Sequence, residues 1–540
     1  MGNMADAAFP QVGVSFSCSD EVFTARWGNA VEALSSCIDD APDGGTMLIE
    51  GGPYVGCWLE STGTISAEIL SRFMPDTARA TFGLYPRFQR EDGLLPYKVV
   101  AGGPAYRHIQ LVTPPARSVW NHYCLTDRDR AFLERQYETL SRYDDWLAQN
   151  RDSRGNGGVE AVGAYDTGHD LSPRFWHTAD TSFLEDPACS DPDNPLVPFV
   201  APDLTASVAC SRRYLAKMAH ELGRPDAEIK AWEGKAELSY AALRRQCFDE
   251  EDKFYYDCDR SGRFIKVQSD VLLRVYAAEA GDHAEFATAL GRYLLNTRKF
   301  FARYPFTSIA LDDPRYDPHQ EYNQWAGTSN FLSLVRSPHA FEYHNRNVEL
   351  TWVMQPILGA FSRTERFPQN LNPWNGDPGF TEVYSPSILC MLDFVERICG
   401  IVPRSDDTLW FTGLTPSRIE GTTSAGVSTT YTRNAGGHVF QLDVSRPDQS
   451  ADGTATVQID GEIAITFPRG MRLVTDVTGA PIRVVGLVPR TVTGRIEWDG
   501  NSQEVSLTGN QSARIVGTAV EVDPLPGGIP GVVLPVTDQQ

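Results

Sequence analysis

The sequence predicts a mainly α protein in which helical hairpins close into a barrel, followed by an all-β sandwich. Three observations lead to this prediction. Amphipathic helical patterns recur in pairs from about residue 25 to residue 400. The segments between them are rich in aromatic, carboxylate and amide side chains, which is typical of loops that carry a binding site on a rigid scaffold. After about residue 405, short stretches alternate apolar and polar residues, as half-buried strands do.

The helices are predicted where apolar residues recur at steps of three and four positions. Leu133, Tyr137 and Leu140 show this spacing. Such runs lie at residues 129–150, 203–222, 227–247, 271–280, 283–297, 347–361 and 386–399. Clusters of Gly, Pro and Asp separate the runs and predict turns. Paired helices joined by long polar loops indicate hairpins with their loops gathered at one end of a barrel.

The strands are predicted from segments such as HVFQLDVSR and ATVQIDGEIAITF, which are rich in Val, Thr and Ile. The dipeptides Asp460-Gly461 and Asp499-Gly500 are typical of hairpin turns. We therefore expect an N-terminal arm at residues 1–25, a barrel at 26–404, a β-sandwich at 405–525 and a Pro/Gly-rich tail at 526–540.

Composition excludes several classes of protein. The formal net charge of −22 in 540 residues opposes binding to nucleic acid, and no basic patch offsets it. The first residues resemble no secretory signal, and no apolar stretch reaches the roughly 18 residues of a membrane span. The ten cysteines show neither CxxC pairs nor zinc spacing with histidine. We expect a cytoplasmic protein that binds no metal, cofactor, nucleic acid or membrane. The chain could form a homo-oligomer.

The most informative loop is GAYDTGHDLSPRFW, at residues 163–176. Asp170 follows a Gly-His step in this loop and is flanked by Tyr165, Phe175 and Trp176. A carboxyl group beside aromatic rings is partly desolvated, which raises its pKa and suits a general acid. Asp is also a favoured helix N-cap, so the residues alone leave both interpretations open.

The segment DTGHDLSPRF resembles the "SGxDxSPRF" signature of bacterial glycoside hydrolase family 63 and of mannosylglycerate-hydrolase-like enzymes. Further matches follow in the same order along the chain, at residues 110–115, 203–225 and 304–316. The resemblance implies an (α/α)6 barrel, no metal, and inverting hydrolysis with an aspartate as general acid. By this match, Asp170 is the acid.

The general base of these enzymes is a glutamate in an "E-N/Y-Y-N-P-x-T-G" type segment, and here Gln369 occupies that position. An amide cannot accept a proton from water. Either another residue is the base, or the reaction needs none, or the chain is not a conventional hydrolase. Glu382 is the nearest replacement, although it could instead cap the helix at 386–399. Glu321 and Glu60 are weaker candidates.

Trp58 and Glu60 resemble the "W-D-S" step of the family's sugar pocket, with glutamate in place of aspartate. An indole stacks on the apolar face of a sugar ring while a carboxylate binds its hydroxyls, which divides the work between apolar and polar groups. The other expected substrate-binding residues are Arg87, Gln89, Asp166, His169, Arg174, Glu321, Tyr322, Gln324, Trp325, Gln369 and Trp374.

The sequence thus predicts a glycosidase that cleaves a small glycoside or oligosaccharide, with Asp170 as acid and Glu382 as base of an inverting reaction. Gln369 keeps two alternatives open. One is a glycosyl-transferring, phosphorolytic or rearranging enzyme on the same barrel. The other is a carbohydrate-binding protein without activity.

Overall fold

The computed structural model describes residues 8–319, 325–418, 427–445 and 453–530. Its helices are α1 (Glu21–Ser35), α2 (Ala67–Leu70), α3 (Pro75–Phe82), α4 (Leu84–Phe88), α5 (Pro115–Leu125), α6 (Arg130–Asn150), α7 (Pro202–Glu221), α8 (Asp226–Cys247), α9 (Val271–Ala277), α10 (His283–Ala289), α11 (Phe331–Leu334), α12 (Ser337–Tyr343), α13 (Asn347–Phe361) and α14 (Ser385–Cys399). Among these described helices, none is long and apolar enough to cross a membrane.

The helices form two concentric rings. The inner ring runs through α2, α5, α7, α9, α12 with α11, and α14, and each of these contacts the next until α14 returns to α2. Helices α1, α3, α6, α8, α10 and α13 alternate with them in the chain and lie outside. Helix α14 is buried along its whole length, because it touches α1, α13 and the sheet behind it. The predicted barrel of helical hairpins is therefore present.

Short strands join the helices. They are β1 (Ser15–Cys18), β2 (Ile38–Asp40), β3 (Thr46–Leu48), β4 (Gly56–Trp58), β5 (Lys98–Val100), β6 (Gly103–Ala105), β7 (Glu160–Ala161), β8 (Phe199–Val200), β9 (Phe248–Asp249), β10 (Phe254–Tyr255), β11 (Asp257–Cys258), β12 (Phe264–Ile265), β13 (Ser329–Asn330) and β14 (Asn370–Leu371). A four-stranded sheet of order β12-β11-β8-β7 supports the loop that contains Asp170.

The C-terminal strands are β15 (Ile401–Pro403), β16 (Thr408–Thr412), β17 (Ser428–Ala435), β18 (His438–Ser445), β19 (Thr454–Ile459), β20 (Glu462–Pro468), β21 (Met471–Asp476), β22 (Pro481–Gly486), β23 (Val492–Trp498), β24 (Asn501–Leu507), β25 (Ser512–Val516) and β26 (Ala519–Val522). They form two antiparallel sheets, of order β1-β17-β18-β19-β20-β23-β24 and β15-β16-β21-β22-β25-β26. Phe411 of one sheet packs against Phe440 of the other at 5.7 Å between ring centroids, so the sheets lie face to face.

Strand β1 belongs to the segment expected as an N-terminal arm, and it pairs with β17 through Phe16 and Tyr431. The rest of the expected arm and tail, residues 1–7 and 531–540, lies outside the described residues. Helices account for 36% of the structure and strands for 23%, so the "mainly α" part of the prediction is not confirmed. The β-rich region after the helical rings is as predicted.

Candidate active site

One end of the inner ring gathers polar side chains. Asp203 lies in the first turn of α7, Asp270 is the N-cap of α9, and Arg336 and Tyr384 directly precede α12 and α14. All four side chains are buried. Because these are N-terminal ends, their partial positive charge favours carboxylates nearby. The site therefore assembles where the inner helices begin.

The Asp170 loop connects β7 to β8 and reaches over this end of the ring. Its first anchor is Asp166, which accepts hydrogen bonds from Arg151 Nη1 at 2.6 Å and from the backbone N–H of Val162 at 2.8 Å. Burial raises the pKa of the Asp166 carboxyl, but Arg151 outweighs burial and the net shift is downward. The prediction of Asp166 as a substrate-binding residue is corrected accordingly: its oxygens are engaged inside the protein.

The second anchor is Arg174, which is fully enclosed. It donates to Asp257 Oδ2 at 2.8 Å and to Asp203 Oδ2 at 3.0 Å. Its Nη1 also lies 2.7 Å from Nδ1 of His169. Because a guanidinium can only donate, that histidine nitrogen accepts, and the imidazole proton lies on Nε2. The structure thus corrects the prediction that Arg174 holds the sugar, since its donors bind the protein.

His169 Nε2 lies 2.9 Å from Asp270 Oδ1. Burial, followed by the charge of Arg274, lowers the pKa of His169 to about 3, so the ring is neutral at physiological pH. His169 is fully buried, which corrects its assignment to substrate binding. His169 and Arg174 thus hold the loop on either side of Asp170, and we call these two residues the clamps of Asp170.

Asp170 itself is partly exposed, unlike its two clamps. Its backbone carbonyl accepts a hydrogen bond from the N–H of Trp325 at 3.2 Å. Gly168, two residues earlier, has φ +63°, and a Cβ there would collide with the Glu60 carboxylate. Glycine is thus required at this position both by the left-handed backbone and by the close approach of Glu60.

Two buried glutamates lie beside this loop. Glu60 Oε2 has no hydrogen-bond partner among the described residues, although the backbone carbonyl of Glu60 accepts from Arg336 at 2.8 Å. Burial raises the pKa of the Glu60 carboxyl. Burial, then the negative charge of Glu60, raises the pKa of Glu50 to about 8, although Ser61 donates a hydrogen bond to it. Glu50 is therefore largely protonated at neutral pH.

An aromatic wall completes the group. The Tyr54 hydroxyl donates to Gln369 Oε1 at 3.1 Å, and its ring lies edge-on to Trp58 at 5.8 Å and near Tyr384 at 6.1 Å. Gln369 is 2% exposed. Burial raises the pKa of the Tyr54 hydroxyl, and the negative charges of Glu50, Asp170 and Glu60 raise it further. The aromatic wall therefore lies close enough to the Asp170 loop for their charges to interact. Trp58, Glu60 and Gln369 are thus brought together with Asp170.

Trp325 lies beneath the loop rather than on the surface of the site. It is fully buried, 4.6 Å from the His169 ring and 4.9 Å from the Arg274 guanidinium. Its Nε1 has no hydrogen-bond partner in the described part of the chain. The expectation of an open sugar platform at Trp325 is corrected to a packing and supporting position.

Four predicted site residues lie outside the group that Asp170 forms with Glu60, Tyr54 and Gln369. They are Glu382, Arg87, Gln89 and Trp374. The Glu382 side chain is 74% exposed and pairs with Arg366 at 2.7 Å. Its prediction as the base is corrected, because an exposed, paired carboxylate does not line a buried catalytic group. Arg87 pairs with Asp43 at 2.5 Å, and Gln89 donates to the carbonyls of Gly93 and Thr139. The substrate-binding assignments of Arg87 and Gln89 are corrected because the polar atoms of these side chains bond to neighbouring parts of the protein.

Trp374 is 49% exposed and follows β14, which contains the neighbours of Gln369. It lies on the surface rather than in the buried group. Glu321, Tyr322 and Gln324 lie outside the described residues. Among the residues that are described, no three His, Cys, Asp or Glu side chains are grouped as metal ligands.

Sequence reasoning missed Glu50, Tyr54, Arg274, Arg336 and Tyr384. A signal was present for the two arginines, since VLLRVYAA and FLSLVRS carry a cation within an apolar helical run. Such a residue is rarely buried without a polar partner, so it marks a polar site inside the ring. The other three residues had no comparable signal.

The helical region is similar to known glycosidases. The family model of the mannosylglycerate hydrolase MGH1-like glycoside hydrolase domain matches residues 56–344. A family 63 mannosylglycerate hydrolase from Thermus thermophilus, solved with Tris, is 19% identical over 68% of this chain and 98% of its own, with a TM-score of 0.56. Neutral trehalase from Saccharomyces cerevisiae is 12% identical over 67% of this chain and 76% of its own, with a TM-score of 0.52.

A sialidase is similar over 86% of this chain and 42% of its own length, with 14% identity and a TM-score of 0.61. No curated protein sequence matches the chain. At these identities the solved structures show the fold alone. The mannosylglycerate hydrolase and the trehalase have (α/α)6-type barrels, in agreement with the two helical rings described above.

Proposed function

The chain belongs to the mannosylglycerate hydrolase MGH1-like glycoside hydrolases and is a glycosidase, and we propose that it cleaves a small glycoside or oligosaccharide with Asp170 as the general acid. The resemblance drawn from the sequence is thereby confirmed. The observation that carries the proposal is the contrast within one loop. Asp166 and Arg174 are locked into buried ion pairs, while Asp170 between them stays partly exposed beside Glu60 and the aromatic wall.

The ligand we propose is a sugar whose hydroxyls bind the free oxygen of Glu60. A buried polar atom without a partner is costly, and a sugar hydroxyl would donate to it. Trp58, which is partly buried, offers an indole face for the ring. Structures of the Thermus thermophilus enzyme in complex with D-glycerate and with glucose support a ligand of this size.

In the proposed reaction, Asp170 gives its proton to the leaving oxygen and a water attacks the anomeric carbon from the opposite face, which inverts the configuration. Gln369 and the Tyr54 hydroxyl, joined by a hydrogen bond, would orient this water. The amide cannot take the proton of the water, so that proton passes to solvent as the new bond forms. Proton NMR of the first product anomer tests the inversion.

Asp170→Asn tests the acid. The amide keeps the size of the side chain but cannot protonate a leaving group. We expect kcat to fall by about 10²–10⁴-fold, the usual contribution of a general acid. The matched control is Asp180→Asn, an exposed aspartate in the same loop. Retention of near-normal turnover by Asp170→Asn, with its melting temperature unchanged, would exclude Asp170 as the acid.

Phosphorolysis or transfer is the second candidate, and Gln369 is the observation that favours it. A phosphate anion attacks without a general base, whereas water gains from one. If phosphate is the nucleophile, product forms only when phosphate is added, and inorganic phosphate is incorporated into the sugar product. Gln369→Glu would then install a carboxylate that still accepts the Tyr54 hydrogen bond, and we expect at least a 10-fold gain in phosphate-independent hydrolysis.

A wild-type enzyme that hydrolyses substrate equally well without phosphate would exclude phosphorolysis. A loss of hydrolysis in Gln369→Glu would contradict the role of Gln369 in orienting water. The control is Gln355→Glu, a glutamine whose amide binds the backbone of residues 415 and 417, far from Asp170 in the chain.

A further inference from the structure

A cavity lies at the other end of the inner ring, where the helices finish. Its lining includes Lys217 near the end of α7, Tyr343 at the end of α12 and Arg397 near the end of α14. Strands β15, β16, β21 and β22 of the six-stranded sheet close it from behind. Its volume is about 520 Å³, within the range of pockets that bind small molecules. Neither Asp170 nor its clamps take part in this lining.

The lining holds one more cation than carboxylate: six of the first, Arg72, Lys217, Arg397, Arg404, Arg472 and Arg483, and five of the second, Glu68, Glu279, Glu342, Asp393 and Asp406. Glu342 pairs with both Arg397 and Arg404, the latter at 2.9 Å. Asp393 pairs with Arg397 and also with Arg72. Glu342 and Asp393 are each shared between two guanidinium groups, and Arg72 and Arg397 each pair with two carboxylates. The surplus of positive charge is notable in a chain whose formal net charge is −22.

Arg472 is the buried arginine of this cavity that makes no ion pair in the described part of the chain. It is 3% exposed, and it donates only to neutral groups: Asn347 Oδ1 at 2.8 Å and Thr412 Oγ1 at 3.3 Å. Its Nη2 has no hydrogen-bond partner, and no carboxylate lies within ion-pair distance, among the residues that the structure describes. Burial lowers the pKa of Arg472 to about 10; the negative charge of Glu342 opposes this shift, and the charges of Arg397 and Arg404 add to it.

Trp410 lies against two of the guanidinium groups, those of Arg404 and Arg472. Arg404 lies 4.2 Å from its ring centroid and Arg472 lies 4.3 Å from it. Stacked guanidinium groups keep their N–H groups in the plane of the fork, available for a planar or tetrahedral anion. The cavity thus presents fixed guanidinium donors, and that of Arg472 makes no ion pair with the carboxylates of the lining.

We propose that this cavity is a binding site for a small organic anion, carrying a carboxylate or a phosphate, held by Arg472 and Arg404. A buried charge without a counterion costs free energy, and a bound anion recovers it. Since residues from the helical ring and from the six-stranded sheet both line the cavity, the ligand would tie the two together. The inference is independent of the proposed reaction, because it involves the opposite end of the ring.

Thermal unfolding tests the proposal, with sodium phosphate and sodium malate as probes and sodium chloride at equal ionic strength as the reference. We expect a saturable rise of about 2 °C in Tm with phosphate, with malate or with both. A response to phosphate alone identifies a phosphate ester site, and a response to malate alone a carboxylate site. The rise should persist in Asp170→Asn, which separates this cavity from the catalytic end.

Arg472→Gln and Arg404→Gln should each abolish the rise. Arg404 is the second choice of variant because its side chain is 24% exposed and its loss disturbs the fold less. Arg514→Gln is the control, an exposed arginine of the same sheet that pairs with Glu521. No saturable rise with either anion, or an equal rise in Arg404→Gln and the wild type, would overturn the proposal.

Discussion

The two ends of the inner ring differ in the charged side chains that they bury. At the end where the helices begin, Glu50, Glu60 and Asp170 are close enough to influence one another, and burial disfavours the ionised form of the two glutamates. At the end where the helices finish, Arg404 pairs with Glu342, whereas Arg472 is buried without an ion pair in the described part of the chain. One end therefore buries carboxyl groups whose ionisation is disfavoured, and the other buries a guanidinium group that makes no ion pair with any described residue.

This difference shows how one scaffold can carry two kinds of site. The catalytic end mixes anchored groups with a few polar atoms left without partners, such as Glu60 Oε2. Protonated carboxyl groups suit proton donation and hydrogen bonding to sugar hydroxyls. The other end is closed by a sheet and buries Arg472 without an ion pair in the described part of the chain, beside carboxylates that pair with the neighbouring arginines. Most of the charged groups at each end are paired, which stabilises that end. Among the described residues of each end, a few polar or charged groups make no such pair.

The largest expected effect comes from removing one arginine from a buried ion pair at each end of the ring. Arg174→Met leaves Asp203 and Asp257 short of a partner, and Arg397→Met does the same to Glu342. Each variant should lose about 3–5 kcal/mol of unfolding free energy, as expected when a buried ion pair loses one member. Only Arg174→Met should also lower kcat, by about 100-fold, because it releases the Asp170 loop.

The measurement is urea unfolding together with kcat and KM at a temperature where both variants are folded. As a positioning residue, Arg174 should affect kcat far more than KM. An equal loss of kcat in Arg397→Met would show that stability alone, and not the geometry of the loop, explains the effect.

A smaller effect concerns the backbone of the Asp170 loop. Gly168 and Gly155 both have φ +63°, but a Cβ at Gly155 meets open space whereas a Cβ at Gly168 collides with Glu60. Gly155→Ala should therefore cost only the left-handed conformation, about 1–2 kcal/mol. Gly168→Ala should cost about 1–3 kcal/mol more and reduce activity, because Glu60 or the loop must move. Equal melting temperatures and equal activities of the two variants would contradict the close packing of Glu60.

Much of the fold could be predicted from the sequence because both regions depend on local patterns. The three- and four-residue periodicity of α6 and the alternation of β18 follow from one buried face each. Closure of the inner ring and the pairing of β1 with β17 could not be predicted in this way, since they depend on contacts between residues far apart in the chain.

The site was predicted in part, and the errors have one cause. Trp58, Glu60 and Gln369 were found because they stand near recognisable motifs, and they do lie with Asp170. Glu382 was chosen by proximity in sequence, and it is exposed beside Arg366. Sequence spacing does not show which side of a loop faces the protein, so anchored residues such as Asp166 were taken for ligand-binding ones.

The smallest expected effect uses pH to compare the two ends directly. The pKa of Glu50 is raised from 4.5 to about 8 by burial, and then by Glu60. For a raised pKa, the stabilising contribution is complete below about pH 4.5 and is lost as the pH rises through about 8. Glu50→Gln stays neutral, so its stability relative to the wild type should rise steadily between pH 5 and pH 8.5.

Glu342 at the other end should behave in the opposite way. Burial alone would raise its pKa, but Arg397 and then Arg404 outweigh burial and lower the pKa from 4.5 to about 2. Its contribution is therefore present above about pH 4.5 and is lost as the pH falls through about 2. Melting temperatures of Glu50→Gln, Glu342→Gln and the wild type from pH 4 to pH 9 give the comparison. If both variants shifted stability in the same direction at pH 8.5, the opposed electrostatics of the two ends would be wrong.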